Sequence, residues 1–205
     1  MVTTSKASPR ERLLDAAAEL FHRQGVRVGT NALCRAAKVS KRSMHQLFAS
    51  KDEVLAAALD RRGRTTTALL RPPPEAQMTP RARLLYVFER LEEEAASTDY
   101  LGCPHLVTQI ELKDPGHVAT VVSARNKQQL ADFFRAEAEQ AGADDPETLA
   151  RQLMLVYDGA SARAGIKADA LNGLAVDAAK ALLHAAGVPV EAHQDASDSV
   201  HPAPR

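Results

Sequence analysis

Apolar positions recur along this chain at helical spacing, in segments separated by caps and breakers. Leu13, Leu14, Ala17, Ala18, Leu20 and Phe21 follow Ser8-Pro9-Arg10-Glu11. Ser8 as N-cap, Pro9 at the first helical position and Glu11 two residues later make a capping box, and Gly25 stops the helix. Thr30 is the next expected N-cap, opening a short helix over 31–37, and Lys38-Val39 makes a tight turn. Ser40 caps a second short helix over 41–48. Ser50 with Glu53 makes another capping box, opening a helix to about Leu70. Arg71-Pro72-Pro73-Pro74 breaks it, predicting a loop over 71–78.

Thr79-Pro80 repeats the cap-plus-proline start, with Leu84, Leu85, Phe88 and Leu91 on one face and Glu92-Glu93-Glu94 as a solvated end. Gly102-Cys103-Pro104 precedes a short helix of about 104–112. Asp114-Pro115 is expected to open a long helix ending near Gly142, with Val118, Val121, Val122, Leu130, Phe133 and Phe134 apolar. Asp145-Pro146 opens another, with Leu149, Leu153, Val156, Tyr157 and Ala160 on a stripe. The last helix is predicted over 171–186, with Leu171, Leu174, Ala175, Ala178 and Leu182 on its stripe. No stretch alternates with the period of two that a half-buried strand requires. The expectation is an all-α protein of about nine helices: a three-helix head over 1–50, a helix bundle over 51–187 and a disordered tail over 188–205.

Charge changes this picture. Lys+Arg and Asp+Glu are 26 each, but residues 1–62 carry 12 basic against 6 acidic side chains. A basic head on an acidic body points to a polyanion as partner of the head. Two cysteines make no disulfide framework, so a reducing cytoplasm is expected. No apolar run approaches the length of a membrane span, and the N-terminus lacks the apolar region of a signal peptide. A chain of 205 residues buries roughly 70% of its unfolded surface without metal or disulfide.

The stretch from Thr30 to Lys51 carries the chemistry. Two helices this short are unstable alone, so they must pack crosswise, through Leu33, Ala37, Val39, Met44 and Leu47. That is helix-turn-helix logic, in which the second helix presents its N-terminal residues to a groove. It begins Ser40-Lys41-Arg42-Ser43, with Gln46 one turn on. Arg and Lys pair with guanine, Gln suits adenine, Ser bonds base or phosphate, and a helix N-terminus attracts phosphate.

Residues 8–55 resemble the N-terminal domain of the TetR family of bacterial transcriptional repressors. The matching residues are Ala16-Ala17, Leu20-Phe21, Gly25, Thr30, Leu33, Ala37, Val39-Ser40-Lys41, Phe48, Lys51 and Val54-Leu55. Residues 56–205 are similar in length and helix order to the family's ligand-binding and dimerisation domain, and Gly102-Cys103, Glu111 and Asp158-Gly159 fit that likeness. The resemblance implies that Thr30 binds backbone phosphate, that Lys41, Arg42, Ser43 and Gln46 face the groove, and that Lys51 grips phosphate; Ser40 is expected to add a phosphate contact to its capping role. His45 stands where the family usually has a tyrosine that touches DNA; histidine still donates to phosphate, more strongly when protonated. Arg42 replaces a common small residue and adds a possible guanine contact. Lys38 replaces a turn glycine, and a left-handed conformation there costs about 1 kcal/mol or more.

The remaining candidates are weaker. Cys34 reads as a core residue and Cys103 as an unreactive thiol. His105, Glu111 and His117 lack metal-ligand spacing, so no metal or other cofactor is expected. No phosphate loop, nucleophile elbow or carboxylate pair suggests an enzyme. The body is larger than dimerisation requires, which predicts a small, mainly apolar effector, with Phe88, His105, Gln109, Phe134 and Tyr157 as candidate contacts. The alanine-rich helices over 146–186 are expected to form a homodimer. Two rivals are a DNA-binding regulator of the same fold governed by a protein partner, and an all-helical enzyme or carrier with a vestigial head.

Overall fold

The computed structural model describes residues 7–73 and 75–190; residues 1–6 and 191–205, including most of the predicted tail, lie outside the described residues. Nine helices make up the described residues, with no strand among them. They are α1 (Pro9–Gln24), α2 (Thr30–Ala37), α3 (Lys41–Leu47), α4 (Lys51–Leu70), α5 (Pro80–Ala95), α6 (Pro104–Leu112), α7 (Val118–Gln140), α8 (Pro146–Gly165) and α9 (Leu174–Ala185).

Local signals set most of the helix starts. Ser8 accepts the N–H of Glu11, and Glu11 accepts the N–H of Ser8 at 2.7 Å; the Ser8 N–H first, and the Ser8 side chain second, lower the pKa of the Glu11 carboxyl. Ser40, Ser50, Thr79 and Asp145 each accept the N–H three residues on to cap α3, α4, α5 and α8, but the predicted box at Ser50 is not reciprocal, since Glu53 accepts the N–H of Ala49 rather than that of Ser50. Three starts differ from expectation. The N-cap of α2 is Gly29, and Thr30 is its first helical residue, because Gly29 already holds the extended backbone that a cap needs. α7 begins at Val118 with His117 as its cap; Asp114 instead closes a turn onto the N–H of Gly116. α9 begins at Leu174, and its cap Gly173, at φ 90°, offers no side chain. Glu92 of α5 fills that gap by accepting the N–H groups of Gly173, Ala175 and Val176 at 2.6, 2.9 and 3.1 Å. The acidic run expected to be solvated is therefore split: Glu93 is exposed, while Glu92 and Glu94 are half-buried.

Two apolar cores run through the molecule. The head core joins Leu13, Phe21, Leu33, Met44 and Phe48 to Val54, Leu55 and Leu59 of α4. The body core gathers α5, α7, α8 and α9 around Phe88 and Phe134, whose rings stack at 5.7 Å. α4 serves both, since Leu70 at its far end belongs to the body core. Gly63, midway along α4, faces Asn126 of α7 so closely that a Cβ would collide with the Asn126 amide. Among the described residues, no helix is long and apolar enough to cross a membrane.

Two predicted stripes are rotated. Val118 and Val121 are exposed and α7 buries Ala119 and Ser123 in their place, while Leu130 and Phe134 are buried as expected. In α9 the inward residues are Ala175, Ala179 and Leu183, so Leu174 is exposed. The later helix start explains the shift, because Leu171 is buried from the preceding turn. Val188 is buried in the body core, which extends into the segment expected to be tail.

Candidate nucleic-acid interface and effector cavity

The turn between α2 and α3 is closed by backbone bonds. Lys38 takes the left-handed conformation expected of it, at φ 53° and ψ 47°, while Val39 N–H donates to Cys34 C=O at 3.0 Å. α3 is pinned from beneath by Met44, fully buried with its sulfur 3.9 Å from Cys34 Sγ. Leu47 departs from the predicted packing set: it is 40% exposed. Phe48, one turn after Met44, takes the inward place, and Arg10 lies over its ring at 5.4 Å.

Pinning that face turns the other outward. Lys41, Arg42, His45 and Gln46 are all exposed. Ser40 Oγ accepts the N–H of Ser43 at 3.0 Å, and the two hydroxyls lie 2.8 Å apart. These two serines thus hold the N-terminus of α3, while the exposed four supply donors for base edges and phosphates. Thr30 is half-buried at the start of α2. Lys51 is placed differently from a free phosphate grip. Its ammonium donates to Val26 C=O at 2.8 Å, lies over the Phe21 ring and is 3.8 Å from Asp52. Sequence alone missed this bracing of the turn before α2, because Val26 is remote in the chain.

Several contacts tie the head to the body, among them an ion pair between Arg23 and Asp99 at 3.5 Å. Val26 N–H donates to Glu111 Oε2 of α6 at 2.8 Å. His22 Nε2 lies 3.2 Å from Gly102 C=O, so it carries the proton; burial first, and Arg62 second, lower its pKa. His117 caps α7 and lies 3.4 Å from Asp52 at the start of α4. Glu111 and His117 therefore serve structural contacts, remote from any shared site with His105.

A cavity opens between α4, α6, α7 and α8, with about 670 Å³ of empty space counting its mouth. Its apolar wall includes Leu70, Cys103, Leu130 and Tyr157, and its polar lining includes Arg62, Arg71, Glu94, Tyr100, His105 and Lys127. Of the expected effector contacts, His105 and Tyr157 line it. Phe88 and Phe134 are fully buried in the core stack beside it, and Gln109 is not in its wall. Lys127 pairs with Asp158 and lies over the Tyr157 ring at 4.8 Å. Tyr100 and Ser161 hydroxyls are 2.8 Å apart, and burial pushes the Tyr100 pKa up to about 12. His105 is 5% exposed, and neither ring nitrogen meets a protein partner. Burial pulls its pKa down to about 4, so the ring is neutral at physiological pH.

Comparison with known proteins agrees with this geometry. Residues 13–58 match the model of bacterial regulatory proteins of the tetR family. A structure described as a TetR transcriptional regulator from Streptomyces avermitilis is 56% identical, with a TM-score of 0.87, covering 89% of this chain and all of that one. SCO4454, a TetR-family transcriptional regulator from Streptomyces coelicolor, shares the fold at 22% identity and a TM-score of 0.80, over 87% and 95% of the two chains. Reduced Escherichia coli NemR does so at 19% identity and a TM-score of 0.74, over 89% and 99%. Among curated proteins, none matches. The head, the body and the 56% identical relative place this chain in the TetR family of transcriptional regulators.

Proposed function

We propose that this regulator is a homodimeric repressor whose two heads bind a palindromic operator and leave it when a small molecule enters the body. The carrying observation is α3, whose exposed Lys41, Arg42, His45 and Gln46 stand on a buried Met44 anchor. Arg42 and Gln46 read base edges in the major groove. Thr30, Ser40, Ser43 and His45 meet phosphates around it, and Lys51 adds a phosphate contact with its remaining donors.

The outward face of α8 and α9 supports the dimer. Leu155, Ile166 and Leu174 are 74%, 76% and 63% exposed, and Gly159, Ala181 and Ala185 lie exposed among them. Large apolar residues beside small ones suit a close four-helix seam between copies. The cavity wall supports effector control. Gly102, two residues ahead of α6, lines the cavity and also accepts from His22 of the head, while Glu111 of α6 accepts from Val26. A ligand that shifts α6 therefore alters how the head is held, and a coupling of about 1–3 kcal/mol suffices for release.

The test is selection of bound duplexes from a random pool, followed by a screen for compounds that dissociate the selected complex. The expected product is a palindrome with half-sites about one helical turn apart. An asymmetric consensus, or none, would overturn the operator scheme, and a complex that no cavity-binding compound dissociates would overturn effector control.

A further inference from the structure

We propose that the cavity between α4, α6, α7 and α8 takes a small organic carboxylate, whose anionic head accepts a hydrogen bond from His105 and faces the guanidinium of Arg62. The inference rests on the effector-controlled reading above and gives that effector a chemical class.

His105 is the first observation. It is 95% buried, lines the cavity, and both of its ring nitrogens lack a protein partner. Buried polar groups in folded proteins are nearly always paired, so an orphaned imidazole in a cavity wall marks the place of a ligand atom. A neutral imidazole carries one N–H donor and one acceptor.

The balance of the other polar groups fixes the sign of that ligand. Arg62 makes no ion pair or hydrogen bond among the described residues. Arg71 Nε is buried and likewise unpartnered, although its terminal nitrogen donates to Gln129 C=O. Lys127 is matched by Asp158. Against these cations stands one unpaired carboxyl in the wall, Glu94. Burial raises its pKa, with the charges of Arg90 and Arg62 opposing. The wall thus carries two guanidiniums with unused donors, exposed Arg62 and half-buried Arg71, against the single carboxyl of Glu94. A carboxylate supplies what is missing, since it accepts at both oxygens and pairs with guanidinium. Leu70, Cys103, Leu130 and Tyr157 set the rest of the ligand as apolar.

The experiment is isothermal titration of the full-length protein at neutral pH with two matched series: phenylacetate, phenylacetamide and 2-phenylethylamine, and hexanoate with hexanamide. At least one carboxylate should bind, with its amide weaker by about tenfold or more and the amine undetected. His105→Phe should lose about tenfold in carboxylate affinity while keeping its melting temperature and DNA binding. Arg62→Gln should bring carboxylate and amide close to equal. Equal or tighter binding of amide or amine, failure of every probe, or full carboxylate affinity in folded His105→Phe would overturn the proposal. Selected-duplex binding is measured on the same samples. Loss of that binding alone would overturn the repressor reading and leave the carboxylate site standing.

Discussion

Glu111 of α6 accepts the backbone N–H of Val26 in the head at 2.8 Å, while Lys51 donates to the same residue's carbonyl from the other side. Val26, just ahead of α2 and α3, is thus held by the body through its N–H and by α4 through its C=O. Glu111→Ala should raise the hydrogen-exchange rate of the Val26 amide and cost about 1 kcal/mol of stability. Head-core amides such as that of Met44 should keep their protection. Unchanged exchange at Val26 would mean that this contact does not persist in solution.

His105 makes a pH-dependent contribution. Its pKa is about 4 in the folded chain against 6.5 ordinarily, with burial the chief cause, Arg62 and Lys127 adding to it and Asp60 opposing. As pH falls below 6.5 the unfolded chain takes the proton first, so stability present above that pH is lost on the way down to about 4. Between pH 7 and pH 5 the loss is about 2 kcal/mol. His105→Phe should remove that slope and be neutral or slightly stabilising at pH 7, because an apolar ring replaces an orphaned polar one. Urea unfolding of both proteins at the two pH values checks this; parallel losses in the two would contradict it.

Glu92 caps a helix it does not belong to. Glu92→Ala leaves the N–H groups of Gly173, Ala175 and Val176 without their acceptor, and about 2 kcal/mol should be lost. Chemical denaturation measures the loss, and a value near zero would remove this cap from the account of the body.

Leu174 separates the dimer from the protomer fold. It is 63% exposed, so Leu174→Asp should leave the protomer folded but place a charge in the seam between copies. Sedimentation should show monomer with unchanged helical content. Leu182 is a poorer probe, because it packs partly against the body core. A Leu174→Asp protein that remains dimeric at micromolar concentration would remove this face from the interface.

What the sequence reveals here is local, and what it hides is long-range. Ser8, Ser40, Ser50, Thr79 and Asp145 were legible because each cap bonds a residue three positions on. Thr30 misled because threonine suits both a cap and a first turn, and Gly29 took the cap. The outward residues of α3 can be assigned once Met44 is read as the anchor, yet Leu47 is read as inward and is exposed, since α3 is too short for its stripe to choose between neighbours. His105 and Tyr157 were found as cavity residues, but Phe88 and Phe134 were not distinguished from them. A buried stripe looks the same whether the facing helix closes on it or leaves a gap. Arg62, Arg71 and Glu94 escaped notice because a cavity is a property of four helices at once, as are the bonds of Glu92 to α9 and of Lys51 to Val26.

The central claim is that α3 reads DNA sequence, and a binding titration of wild type and Arg42→Ala on the selected operator and a scrambled duplex, at several salt concentrations, tests it most directly. Wild type should prefer the operator and weaken on both duplexes as salt rises. Arg42→Ala should lose about 1–3 kcal/mol on the operator and relax the choice at one symmetric pair of base pairs, with a much smaller loss on the scrambled duplex. Equal wild-type affinity for the two duplexes, or an Arg42→Ala protein that still tells them apart as well as wild type, would contradict the account.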